Sequence, residues 1–247
     1  IEFVNENTRS GDYKNLISHP RPSHADWVAQ KKWNGYNDPR GGGHFSGRIT
    51  LGLVAAGVVA KKILGQSVEF STEITEIGSE RNKEKFAEII EQARMAQDSV
   101  GGVVECRVKG VDVGLGEPFF DSAESLIAHL LFSVPAVKGV EFGDGFEVAR
   151  KRGSQNNDCI ISAEGQTATN HAGGIVGGIT NGNEIVVRAA VKPTPSISCE
   201  QQTYNFESGS VEPLVIKGRH DVCITLRAAV VVEAAAAIAL ADLALRA

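Results

Sequence analysis

Two stretches of this chain consist almost entirely of small apolar residues, and they narrow the possible folds more than any other feature. Residues 49–60 run from Ile49 to the Lys61-Lys62 pair without a charge, and residues 228–241 are Ala- and Val-rich around one acid, Glu233. The first is too short to span a bilayer, and both read as buried core helices rather than membrane spans. Each opens on a similar passage, Arg48-Ile49-Thr50-Leu51 and Cys223-Ile224-Thr225-Leu226, behind a loop of glycine and basic residues. Two Ala-rich helices can approach closely, so a pseudo-symmetric helical centre is expected. Strands elsewhere must cover it. That argues for an α+β sandwich rather than regular βαβ alternation.

The remaining text supplies those strands. Residues 103–108 and 185–191 run apolar or alternate, as strands do. Residues 83–96 form an amphipathic helix with Phe86, Ile89, Ile90 and Ala93 on one face. A second helix runs over 122–132, capped by Asp121 or Ser122, with Leu126, Ile127 and Leu130 inward. Asp144-Gly145 reads as a hairpin turn, and so does Asn181-Gly182 before Ile185.

With 247 residues, 42% hydrophobic and 22% charged, the chain has an ordinary soluble composition and is read as one domain over 1–247. A net charge of -5 excludes general attraction to nucleic acid. The four cysteines form no CxxC pair and no zinc spacing, so no metal site is expected and a cytoplasmic location is. The opening is too polar for a secretory signal and lacks Met. An N-terminal segment is expected to precede it, and the text near 65–83 and 161–169 reads as joined loop ends.

Three loops combine Gly or Pro with cations and hydroxyls. Arg21-Pro22-Ser23-His24-Ala25-Asp26 offers a guanidinium and an imidazole, and histidine titrates near neutrality. Arg40-Gly41-Gly42-Gly43-His44-Phe45-Ser46-Gly47-Arg48 is a glycine-rich run into a helix N-terminus, a generic anion site that matches neither a Walker nor a Rossmann fingerprint. Lys217-Gly218-Arg219-His220-Asp221 again precedes a long apolar helix, and Lys192-Pro193-Thr194-Pro195-Ser196 is a further rigid loop. Taken singly, each is compatible with a solvated turn.

In this order, and joined by Gly114-Leu115-Gly116-Glu117-Pro118, Val137-Lys138-Gly139-Val140-Glu141, Arg152-Gly153-Ser154-Gln155-Asn156 and Asn170-His171-Ala172-Gly173-Gly174, they resemble the chorismate synthase family along the whole chain. The resemblance implies a homotetramer built on a β-α-β sandwich, with the pseudo-symmetric Ala-rich helical layer between antiparallel sheets, that binds reduced FMN and removes phosphate from 5-enolpyruvylshikimate 3-phosphate by 1,4-anti elimination, with no nucleic-acid or membrane partner. It admits NADPH as reductant of the flavin, as in some fungal-type members. It puts Arg21, Ser46, Arg48 and Arg219 on the substrate. It gives His24 a role in flavin protonation and Asp221 one in proton removal. It puts His44, Phe45, Ser46, Pro135, Ala136, Gly177, Lys192, Pro193, Thr194, Pro195, Ser196 and Arg219 against FMN. Three departures stand out: His44-Phe45 replaces a common Arg-Ser, Val222 replaces a proline, and an N-terminal Ser-His-Gly motif is not in this text. The alternative is a flavin- or phosphate-binding homologue without catalysis.

Overall fold

The computed structural model describes residues 2–3, 16–38, 40–216 and 220–247. Its helices are α1 (Asp26–Lys32), α2 (Leu51–Leu64), α3 (Phe86–Met95), α4 (Ala123–Ser133), α5 (Gly153–Asn156) and α6 (Thr225–Arg246). Its strands are β1 (Glu69–Ile77), β2 (Gly102–Lys109), β3 (Val137–Phe142), β4 (Ile175–Val176), β5 (Ile179–Thr180), β6 (Ile185–Val191), β7 (Gln201–Asn205) and β8 (Ser210–Leu214). The class is mixed α/β with antiparallel sheets, as the text implies.

The main sheet has the order β1-β2-β6-β3, antiparallel throughout. Side chains alternate across a strand, so each strand divides its residues between two environments. Val104, Cys106 and Val108 of β2, with Ile185, Val187 and Ala189 of β6, are buried in the core beneath α6 and α4. Charged residues occupy the alternate positions. Arg188 pairs with Glu105 at 3.0 Å and Glu141 at 2.6 Å, and Arg107 pairs with Glu105 at 2.7 Å and Glu184 at 2.9 Å. Glu105 is buried, and two guanidinium partners offset its desolvation.

Against this sheet lies α6, and α2 packs along α6. They pack most tightly at Gly57, where an added Cβ would stand 2.5 Å from Ala234 Cβ. Further along, Ala60 clusters with Ala237 and Ala241, and at the start Gly47 faces Ile224. The correspondence 47 with 224, 57 with 234 and 60 with 237 shows that the two helices run in the same direction. The Lys61–Glu233 ion pair and the Lys61 ammonium over Phe70 satisfy the charges in this interface. By length and composition α6 is apolar enough to cross a membrane, but 61% of its most hydrophobic window is buried inside this fold, and it acts as the core helix. Among the described residues, the outward side of α2 exposes Leu51, Val58, Val59 and Ile63, and the large sheet lies on one side of the helical layer.

Two turn readings are corrected. Residues after Asp144 form a short 3₁₀ helix, Gly145–Arg150, and β3 pairs with β6 instead. Asn181-Gly182 links β5, which pairs with β4, to β6 in the main sheet, so the turn joins two sheets and closes no hairpin. Across these two passages β1 runs through 69–77 with a bulge between Ile74 and Glu76, and Ile160 bridges Thr167.

The close approach at Gly57 yields a paired prediction. Gly57→Ala forces α2 away from α6 and is expected to lower stability by about 1–3 kcal/mol. Gly52→Ala, on the same helix with nothing within 4 Å, is expected to raise it by about 0.5–1 kcal/mol. Denaturant unfolding of both variants checks the contrast, which equal effects would contradict.

Candidate active site

Because α2 and α6 are parallel, their N-terminal ends lie together. Before α2, Ser46 accepts a hydrogen bond from the Arg48 backbone N–H at 3.2 Å, and Thr50 Oγ1 donates to Gly47 O at 2.6 Å. Before α6, Asp221 Oδ1 accepts from Cys223 N–H at 3.3 Å, and Oδ2 pairs with Arg227 Nε at 2.9 Å. Asx- and Ser-type caps of this kind serve backbone donors that the helix leaves unpaired. A third wall comes from the C-terminal end of α4 and the turn into β3. There Ala136 takes a positive φ of 76°, and its carbonyl accepts from Lys192 N–H at 2.9 Å. The loop after β6 and the segment 16–25 complete a cavity of about 530 Å³, within the ordinary range for small-molecule sites.

The segment 16–25 has no regular structure and is held by side chains. Arg21 is buried, and its Nε and Nη2 each donate to the Asp26 carboxylate at 2.7 Å. Its Nη1 donates to Ser196 Oγ at 2.8 Å. Lys192 Nζ donates to the Ser23 carbonyl at 2.7 Å, and Thr203 Oγ1 donates to Pro20 O at 2.9 Å. Ser23 itself has φ 57°, a left-handed conformation that a non-glycine residue keeps only when its surroundings hold it.

Burial pushes the Asp26 carboxyl up, but hydrogen bonds and charge from Arg21 and His24 outweigh it and hold the group well below the usual carboxylate range. Burial and the neighbouring Lys138 push the Lys192 ammonium below the usual lysine value. Among the described residues no carboxylate pairs with Lys192, whose ammonium is held by the Ser23 carbonyl alone. Thr194 Oγ1 is buried with no hydrogen-bond partner, the kind of polar atom a ligand satisfies.

Most of the residues singled out from the sequence converge here. Arg21, His24, His44, Phe45 and Ser46 line the cavity from one side. Pro135 and Ala136 line it from the α4 end. Lys192, Thr194, Pro195, Ser196 and Asp221 complete it. Pro193 sits in the same loop but packs toward Gly101. Arg48 is exposed between two lining residues, Gly47 and Ile49. Gly177 is not brought to the cavity: Gly178 O accepts from Ala123 N–H at 2.8 Å, which puts this turn at the opposite end of α4, about 15 Å away for an 11-residue helix. Arg219 lies outside the described residues. Sequence reasoning missed Asp26 as a partner of both Arg21 and His24, and Arg227 as the partner of Asp221. The signal for the first was a carboxylate two residues after His24, at the start of a helix.

An imidazole, a carboxylate and an ammonium around one cavity are the parts from which a small-molecule enzyme that handles an anion is built. The sequence model described as chorismate synthase matches residues 1–245. A chorismate synthase of Chitinophaga pinensis is 59% identical over 242 residues, spanning 98% of this chain and 72% of the relative. One from Dehalococcoides mccartyi is 45% identical over 270 residues, spanning 98% and 74%. A structure titled as the crystal structure of chorismate synthase superposes with a TM-score of 0.72 at 30% identity, covering 90% of this chain and 70% of the other. The chain belongs to the chorismate synthase family, and it is a lyase of aromatic biosynthesis.

The Asp26–Arg21 pair makes acid behaviour predictable. With its folded-state pKa depressed, ionised Asp26 stabilises the fold at neutral pH. That contribution fades as pH falls below about 4 and on through the folded-state value. Asp26→Asn is therefore expected to cost about 3–5 kcal/mol at pH 7, by leaving the Arg21 charge unpaired, and progressively less in acid. Urea unfolding at several pH values tests this, and a cost that does not change with pH would contradict it.

Proposed function

We propose that this cavity is where reduced FMN and 5-enolpyruvylshikimate 3-phosphate meet, and that phosphate leaves by 1,4-anti elimination without net redox change. The observation that carries the reading is the cation of Lys192 beside the unpartnered Thr194 Oγ1 in a cavity of cofactor size. The residues fit a flavin. Pro135, Ala136 and Pro195 offer apolar contact, and Lys192 and Thr194 supply polar ends. His44, Phe45, Ser196 and the adjoining Pro193 extend that surface. Gly177, at the far end of α4, is assigned no flavin contact within this subunit.

Reduced flavin, when bound, supplies electron density to a substrate whose allylic C–H no carbonyl acidifies. The protein binds, orients and moves protons. The substrate is a polyanion, and the N-terminal ends of α2 and α6 bias the cavity toward negative charge. Ser46, Arg48 and Arg219 take up its oxyanions, as guanidinium forks do well. Arg21 reaches the cavity with Nε and one Nη2 hydrogen already engaged by Asp26, so its contribution comes from the remaining donors. His24, which lines the cavity, would hold and pass a proton to the flavin when it is bound. Asp221, held by Arg227, accepts the proton taken from the ring carbon. A single domain, assembled as a homotetramer in the cytoplasm, is the setting we propose, with a second sheet over the exposed outer side of α2 completing the sandwich.

Under anaerobic conditions with reduced FMN, His24→Ala and Asp221→Ala are each expected to slow phosphate release by about 10²–10⁴-fold while FMN still binds. Lys192→Gln is expected to weaken FMN binding about tenfold, near the value of one charge-assisted hydrogen bond. Near-normal turnover in either of the first two removes that residue from the chemistry. Unchanged FMN affinity in the third moves the flavin away from Lys192.

A further inference from the structure

His24 has two ring nitrogens, and among the described residues only Nδ1 is engaged. Nδ1 stands 2.6 Å from Asp26 Oδ1 and 3.0 Å from Arg21 Nη2, while Arg21 Nη2 stands 2.7 Å from that same Oδ1. These three atoms form a triangle that contains one acceptor. A carboxylate oxygen and a bare imidazole lone pair repel each other at 2.6 Å, so a proton must lie between them. Arg21 Nη2 carries two hydrogens and lies within hydrogen-bond reach of Nδ1 as well, but the carboxylate oxygen is both nearer to Nδ1 and charged. Nδ1 therefore donates to Asp26, and the 3.0 Å contact is two donors converging on one oxygen. Nε2 has no hydrogen-bond partner among the described residues, and His24 lines the cavity.

Asp26 is itself held on both oxygens. Oδ2 accepts from Arg21 N–H at 3.1 Å and Nε at 2.7 Å, and Oδ1 accepts from Nη2. Arg21 is anchored in turn by Ser196, on the loop that carries Lys192. The carboxylate cannot rotate without breaking several charge-assisted bonds, so it fixes the plane of the imidazole as well as its tautomer.

We infer that Asp26, clamped by Arg21, is a positioning residue that keeps a proton on Nδ1 of His24, so that the proton His24 gains or loses in the reaction is the one on Nε2. The catalytic half of this statement rests on the role proposed for His24; the tautomer does not. A buried carboxylate behind an imidazole is a recurring way to select one nitrogen for chemistry, and exchanging it for an amide supplies the wrong tautomer. In Asp26→Asn, the amide oxygen is needed where Arg21 N–H and Nε donate. The NH₂ group then faces Nδ1 and donates to it, moving the histidine proton to Nε2.

The test uses the full chain with ¹⁵N-labelled histidine, comparing long-range ¹H–¹⁵N spectra with those of His24→Gln to assign the ring. The native protein is expected to show neutral His24 as the Nδ1–H tautomer. Folded Asp26→Asn is expected to show Nε2–H, with kcat lowered about 10²–10⁴-fold and KM within about threefold. Asp26→Glu is expected to restore part of kcat together with the Nδ1–H tautomer. An Nε2–H tautomer in the native protein overturns the inference without needing any variant to fold. So does an Asp26→Asn enzyme that loses KM and FMN affinity in step with kcat while its tautomer stays native, since that is loop loosening. Normal turnover of His24→Gln, with the native tautomer as expected, would instead remove the catalytic role of His24 and leave the structural assignment standing.

Discussion

The parallel contact between α2 and α6 sets the position of the site. Helices in contact along small residues approach until backbone meets backbone, and Gly57 against Ala234 is where that limit is reached. A parallel pair puts both N-terminal ends at one end of the molecule. The loops rich in glycine and cations precede those ends in the sequence, so they arrive together in space. An antiparallel pair would have separated Ser46 from Asp221 by the length of a helix. The apolar segments therefore fix where the polar ones meet.

Local order at that end comes from side-chain latches rather than secondary structure. Arg21 to Ser196, Lys192 to the Ser23 carbonyl and Thr203 to the Pro20 carbonyl join segment 16–25 to the chain after β6. Each bond alone is modest. Together they hold Ser23 in a left-handed conformation that serine does not choose. They also explain how a buried guanidinium is tolerated: its charge is neutralised in place by Asp26. The same latch couples the loop that carries the proposed acid-base histidine to the loop that carries the proposed flavin cation.

Much of this was legible in the residues. The apolar run 185–191 is β6, the periodicity of 83–96 contains α3 behind a short 3₁₀ turn, and Ser122 caps α4 through Ser125 N–H. These are local signals that the fold obeys. The failures were turns whose local chemistry was overruled by pairing. Val137–Phe142 finds its partner in β6, which buries more apolar surface than the residues after Asp144-Gly145 offer. Asn181-Gly182 turns the chain, but β6 leaves for the main sheet. At the site, motif order indicated His24, Lys192 and Asp221. The second carboxylate partner, Asp26, was not assigned, because an i, i+5 contact with Arg21 depends on a loop conformation that sequence spacing does not specify. Gly177 lies at the far end of α4 from the cavity of its own subunit, a separation that no local pattern encodes.

The central claim is that the cavity between the N-terminal ends of α2 and α6 is the flavin site. A crystal structure of the protein with FMN tests it most directly. The flavin is expected against Pro135 and Ala136, with Thr194 Oγ1 hydrogen-bonded to it and Lys192 within ion-pair distance of its phosphate or ring oxygens. Flavin density on another surface, with Thr194 Oγ1 still unpaired, would contradict it.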